Sequence, residues 1–144
     1  MLRRHFHAWL GVGLATVAKS AADERKILRG RLRPGVKPAL VVNDQEIPLT
    51  GDPGTLLVLA DQRLSDLDLE VSGEPAGDPA APFRVGPIHK RSMHVHQDGK
   101  RLMITYWCEV CSIRTFTPGV CMCCQDETAV DLKEKLESDD IKSR

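Results

Sequence analysis

The stretch Met93-His94-Val95-His96-Gln97-Asp98-Gly99-Lys100-Arg101-Leu102-Met103-Ile104-Thr105-Tyr106-Trp107 decides the fold class. Met93 and Val95 alternate with His94 and His96, which is the period of a half-buried strand. Asp98-Gly99 supplies the two left-handed positions of a tight hairpin turn. Leu102 to Trp107 is rich in β-branched and aromatic residues and reads as the returning strand. A hairpin of this kind needs further strands to cover its apolar face.

Such strands lie upstream. Ile27 to Arg33 reads as a strand with a polar face, broken by Pro34-Gly35. Ala39 to Val42 and Glu46 to Leu49 flank the turn residues Asn43-Asp44. Leu56 to Ala60 fits either a buried strand or a helical turn, because periodicity alone does not separate them. Leu67, Leu69 and Val71 alternate with Asp68 and Glu70, and Phe83 to Val85 opens another extended segment. Residues 73–82 hold three prolines and two glycines and read as a loop. Short strands with Gly/Pro turns predict a mainly β protein built on a small barrel or half barrel. The phrase from Asp61-Gln62-Arg63-Leu64 to Leu69-Glu70-Val71-Ser72-Gly73 resembles a strand of OB-type barrels, over about 50 residues. Barrels of that type host many functions, so the resemblance implies no activity.

Composition narrows the class. The chain has 144 residues with 20 basic and 20 acidic side chains, a net of zero, which excludes an ordinary polybasic nucleic-acid binder and an acidic disordered tail. Aromatics are only 4%, so the core is short of large rings.

Downstream of Trp107 lies the chemistry. All five cysteines fall between Cys108 and Cys124, too close together to staple a small fold along its length. Cys108-x2-Cys111 and Cys121-x2-Cys124 are separated by nine residues, with Cys123 as a fifth thiol. Two such turns facing one another present four thiolates in a tetrahedron, the set that zinc takes at about 2.3 Å per sulfur. The connection has room for a return strand, Ile113 to Phe116, and a Pro118-Gly119 turn. Thr128 to Leu132 would complete a small ribbon, with Tyr106, Trp107 and Phe116 packed around the sulfurs. Structural zinc supplies on the order of 10 kcal/mol of folding free energy in small domains. Cofactor and partner are therefore expected to be a metal ion, zinc first, with copper as the alternative and Cys123 as a substitute ligand. Disulfides are the competing reading, since C-x2-C is also a redox motif. Five thiols leave one over, and neighbouring Cys123 and Cys124 bridge poorly. Haem attachment is excluded because Ser112 and Gln125, not histidine, follow the cysteine pairs.

The same segment resembles the heavy-metal-binding domains of copper-transporting ATPases and efflux components. Tyr106, Cys108, Cys111, Ile113-Arg114, Pro118-Gly119, Cys121 and Cys124 fall in the family's order over about twenty residues. Cys111 stands where that family has histidine, the spacer is one residue shorter, and Gln125 replaces the usual glycine. The resemblance implies metal binding, and four thiolates favour a closed structural zinc over an exchangeable copper site.

His89, His94 and His96 form a weaker second candidate site, for zinc or copper, with Met93 and Met103 as soft ligands for cuprous ion. The plainer reading is a solvated strand face beside Lys90, Arg91 and Lys100.

The amino terminus reads as an address. Arg3 and Arg4 precede the uncharged, mainly apolar segment from Ala8 to Ala18, and small residues follow at Ser20, Ala21 and Ala22. These are the parts of a secretory signal. Arg3-Arg4-His5-Phe6 resembles a twin-arginine signal, which implies bacterial export to the periplasm or beyond, without a membrane span after cleavage. Loss of Arg3, Arg4 and Lys19, with no acid, leaves 17 basic and 20 acidic residues, a net of −3. The expected organisation is a signal over 1–22, a small β domain over 23–101, a zinc-ribbon-like metal site over 102–132 and a charged tail over 133–144. No catalytic residues are expected. The functional expectation is an exported, non-enzymatic metal-binding protein. The alternatives are a periplasmic thiol–disulfide protein using Cys108 and Cys111, or a copper or heavy-metal capture protein using the histidines.

Overall fold

The computed structural model describes residues 25–134 apart from Pro79 and Ile88. The expected signal over 1–22, and the tail from 135 onward, lie outside the described residues.

The chain is mainly β. Strands β1 (Lys26–Arg33), β2 (Ala39–Val42) and β3 (Gln45–Thr50) form an antiparallel meander. The turn between β2 and β3 is Asn43-Asp44, both at positive φ (48° and 63°), which is the backbone that a two-residue hairpin requires. Helix α1 (Pro53–Leu59) follows, then a 3-10 turn (Gln62–Leu64), then β4 (Asp68–Glu74) and β5 (Phe83–Val85). β4 pairs antiparallel with β1, and β5 pairs parallel with β3 and antiparallel with β4. The five strands thus close in the order β1-β2-β3-β5-β4 and back to β1. A helix between the third and fourth strands and a parallel third–fifth pair give this barrel an OB-like topology.

The Leu56 to Ala60 segment is helical. The Asp52 carboxylate accepts from the Thr55 backbone N–H at 2.7 Å, and Pro53 opens the helix. That buries Thr55, Val58 and Leu59 against the barrel. Gly73 and Glu74 belong to β4 rather than to the following loop, since they pair with Val85 and Arg84 of β5, and a Cβ at Gly73 would fall on the Arg84 carbonyl. Only glycine lets β4 and β5 approach so closely.

Helix α2 (His89–Ser92) leads into β6 (Met93–Gln97), which pairs with the same edge of β4 that β5 uses further along. β6 turns through Asp98 and Gly99, both at positive φ, into β7 (Lys100–Cys108). β7 then pairs with β8 (Ile113–Thr115) and β9 (Ala129–Lys133). One strand therefore serves both the barrel side and the cysteine ribbon. The core contains Leu32, Leu40, Val58, Leu69, Val71, Val95 and Tyr106, all essentially inaccessible to solvent. Tyr106 thus packs in the hydrophobic core, where the sequence placed it around the sulfurs. Among the described residues no helix is long and apolar enough to cross a membrane.

Candidate metal centre

Two turns of one design build the site. The first begins at the end of β7, where Cys108 is buried. The Ser112 N–H donates to the Cys108 carbonyl at 2.8 Å, and the Cys111 N–H reaches Cys108 Sγ at 3.4 Å. The second turn repeats this closure. The Gln125 N–H donates to the Cys121 carbonyl at 3.0 Å. Ser112 and Gln125 both sit at positive φ, 55° and 64°. In each turn the residue after the second cysteine is left-handed, which folds the chain back over its own sulfurs. The Cys121 N–H also donates to the Asp126 carbonyl, at 2.7 Å, and the Thr128 N–H to the Gly119 carbonyl, at 3.0 Å. These bonds hold the second turn at the mouth of β9.

The four sulfurs converge. Sγ of Cys108, Cys111, Cys121 and Cys124 all lie within 4.8 Å of one another. Cys108 and Cys124 are 3.5 Å apart, far beyond the ~2.05 Å of a disulfide. Sulfurs placed tetrahedrally about one ion at about 2.3 Å stand roughly 3.8 Å from each other. The donor set and its spacing fit a single metal ion. All five cysteines are unbridged.

The local fields are uneven. Backbone N–H groups of Cys124 and Cys123 aimed at Cys121 lower its thiol to about 7. Burial, which would raise it, is outweighed. Cys111 is pushed well up, first by the Cys123 thiol, then by burial and by Cys124. At Cys124 the Asp126 N–H pulls down, but burial and the thiol of Cys108 prevail and the value rises. Several thiols crowded together cannot all ionise without a cation among them. A metal ion would supply that charge, and ligation requires the thiolate form.

Contacts that the sequence reading did not assign brace the ribbon and tie it to the rest of the fold. Arg63 donates from Nη1 to the Thr128 carbonyl at 2.6 Å, forks onto Asp61 (Nη2 to Oδ2, 2.8 Å), and lies 5.5 Å over the Tyr106 ring. Arg114 donates to Thr105 Oγ1 at 2.6 Å and to Asp131 Oδ2 at 2.8 Å, and stacks 4.8 Å over Trp107. Lys90 sits 4.9 Å over Phe116. Arg63–Tyr106 and Lys90–Phe116 join distant segments with no local signal, whereas Arg114 and Trp107 are direct partners in the β7–β8 pair.

The three histidines are engaged separately. His89 heads α2, and its Nε2 is 2.8 Å from the Phe116 carbonyl. His96 Nε2 is 2.7 Å from Glu70 Oε2. His94 is buried rather than solvated, and burial lowers its pKa, with Arg101 adding to the effect. Among the described residues, the four cysteines are the one cluster of three or more potential ligands that could hold a metal ion. Cys123 is exposed and stands outside that group.

Comparison of the chain with family models, with curated proteins and with solved structures finds no significant match to any of them.

Proposed function

We propose that this is an exported, non-enzymatic metal-binding protein whose Cys108, Cys111, Cys121 and Cys124 hold one structural zinc ion. The observation that carries the reading is the convergence of four sulfurs from two matching turns. A full set of four thiolates leaves no open coordination position for a substrate, which is the pattern of a structural rather than a catalytic zinc. Soft sulfur ligands would also accept cuprous ion, so the metal must be determined by element. Zinc would fix the ribbon, and through Arg63 the surface that the ribbon shares with the barrel. The export half of the reading rests on the Arg3-Arg4 start, the apolar run to Ala18 and the small residues after it. A twin-arginine route would allow the site to load in a reducing compartment before export. The mature net charge of −3 goes with a protein that does not seek nucleic acid.

Elemental analysis and amino-terminal sequencing of one mature preparation test both halves. About one zinc per chain and a start near Ala21 or Asp23 are expected. Copper in place of zinc would favour the capture reading, and metal-free oxidised cysteines the thiol–disulfide reading. A full-length cytosolic chain would overturn export. Cys111→Ser should lose zinc and melt earlier; retained zinc with unchanged melting would overturn the four-sulfur site.

A further inference from the structure

The barrel is sealed unequally at its two ends. Where β1 finishes, α1 closes it: the Gly35 N–H donates to the Leu59 carbonyl at 3.2 Å, and Val58 and Leu59 are fully buried. Where β1 begins, the loop between β4 and β5 leaves a hollow of about 190 Å³. Its wall is apolar. Leu28 and Ile47 line it and pack against the core yet stay part-exposed, whereas Leu32, further along β1, is fully buried. Phe83, itself buried in the core, completes the wall. Two opposite charges line the same hollow, Lys26 from β1 and Asp78 from the loop. Among the described residues Lys26 has no hydrogen-bond or ion-pair partner. Asp78 Oδ1 accepts from the Ala80 N–H at 2.9 Å, and no salt bridge joins Asp78 to Lys26. A carboxylate with one such bond has room for further donors.

We infer that this hollow is a binding site for a free apolar α-amino acid, of the size of leucine or phenylalanine. Volume sets the side chain. An apolar cavity of roughly 150 Å³ takes a benzene ring, so this one accommodates an isobutyl or benzyl group. Small-ligand sites are apolar concavities with a few polar groups that fix orientation, and the mouths of barrels are a common place for them. Charge selects the head group. At neutral pH an α-amino acid carries a carboxylate and an ammonium on one carbon. The Lys26 ammonium matches the first and the Asp78 carboxylate the second. A simple fatty acid or alkylamine would satisfy one of them and bring a like charge to the other. Burial of the apolar side chain drives binding. The two ion pairs stand at an exposed mouth, so they add little affinity but decide which ligands are accepted. No residue of the hollow belongs to the metal centre, so the inference stands apart from the zinc reading.

The test titrates the purified full chain with L-leucine and L-phenylalanine and follows backbone amide shifts by NMR. At least one of the two should saturate, with a Kd on the order of 1 mM or tighter, and the shifts should centre on Leu28, Ile47, Ala81 and Phe83. N-acetyl-leucine, which has no ammonium, and leucinamide, which has no carboxylate, should each bind about threefold to fivefold more weakly than leucine, the scale of one exposed ion pair. Lys26→Gln should weaken leucine by that factor without weakening leucinamide. Asp78→Asn should weaken leucine by that factor without weakening N-acetyl-leucine. Both residues are exposed, so both variants should fold. Ala81→Phe, which places a ring in the hollow, should abolish binding. Shifts that fail to saturate by about 20 mM, shifts centred elsewhere, or leucine affinity unchanged in either charge variant would overturn the inference. Metal content is held constant throughout, so such a failure leaves the four-cysteine site standing.

Discussion

Ser112 and Gln125 occupy equivalent places in the two cysteine turns. Each follows the second cysteine of its pair, each donates its backbone N–H to the carbonyl of the first, and each is left-handed, at φ 55° and 64°. The left-handed region costs an L-residue about 1–2 kcal/mol relative to its usual backbone. Glycine removes that cost but gains more freedom when unfolded. Ser112→Gly should therefore retain metal and raise stability by about 0.5–1 kcal/mol. Gln125→Gly should gain less, because the Gln125 side chain donates to the Met122 carbonyl at 3.2 Å. Valine at either position should lose about 1 kcal/mol or more. Thermal melts of the metal-loaded variants check this; a valine variant as stable as wild type would contradict the turn geometry.

Gly73 carries a different demand. It pairs with Lys26 on one side and Val85 on the other, so it sits where the barrel closes. A methyl group there meets the Arg84 carbonyl, and the β4–β5 pair must open to accept it. Gly73→Ala should cost about 2–3 kcal/mol. Gly77, where an added Cβ has nothing within 4 Å, provides the control. Gly77→Ala should be neutral or slightly stabilising by chemical denaturation.

What could be read along the chain was local. Asp98-Gly99 and Asn43-Asp44 announce their hairpins because few residues accept positive φ at two successive positions. The two C-x2-C pairs announce a four-sulfur cluster because two intervening residues make one tight turn. Gln125 stood out as a replacement for glycine, and its left-handed backbone is the reason that position favours glycine. The helix at Leu56 was ambiguous from its apolar run, although Asp52-Pro53 just ahead of it is a capping signal. Barrel closure was harder. The parallel β3–β5 contact and the β1–β4 pairing join segments tens of residues apart with no local mark. His94 looked solvated because alternation reports only which face a residue takes. It cannot tell that the face outside the barrel is itself covered at that point.

Glu70 makes stability depend on acid. Its Oε1 accepts from Arg101 (Nη2, 2.8 Å) and its Oε2 faces His96 Nε2 at 2.7 Å. Arg101 first, and His96 after it, hold the carboxyl below its ordinary 4.5 despite burial. A carboxyl that ionises more easily when folded stabilises the fold above its unfolded value, and that contribution fades as pH falls through the lowered one. Glu70→Gln should cost about 1–2 kcal/mol at neutral pH, as for a charged hydrogen bond. The gap between variant and wild type should shrink below about pH 4. Acid also strips metal from thiolates, but it does so in both proteins, so the difference isolates Glu70. Urea denaturation at neutral and acidic pH decides; a gap that does not narrow would contradict this assignment.

Arg63 joins the barrel to the ribbon through three contacts that only a guanidinium can make together. It forks onto the Asp61 carboxylate, whose side chain is just 7% exposed, it covers the Tyr106 ring, and it reaches the Thr128 carbonyl. Thr128 in turn holds Gly119 through both its N–H (3.0 Å) and its hydroxyl (2.8 Å), two residues before Cys121. Removing the guanidinium strands a nearly buried carboxylate and frees the strand that follows the second cysteine turn. Arg63→Met should cost about 2–3 kcal/mol. Arg63→Lys should recover only part of that, because an ammonium neutralises Asp61 but cannot fork and stack at once. Amide exchange should accelerate from Asp126 to Val130 in both variants, while the barrel strands β1 and β2 keep their protection. Full rescue by lysine, or acceleration confined to the barrel, would mean that Arg63 does not tie the two parts together.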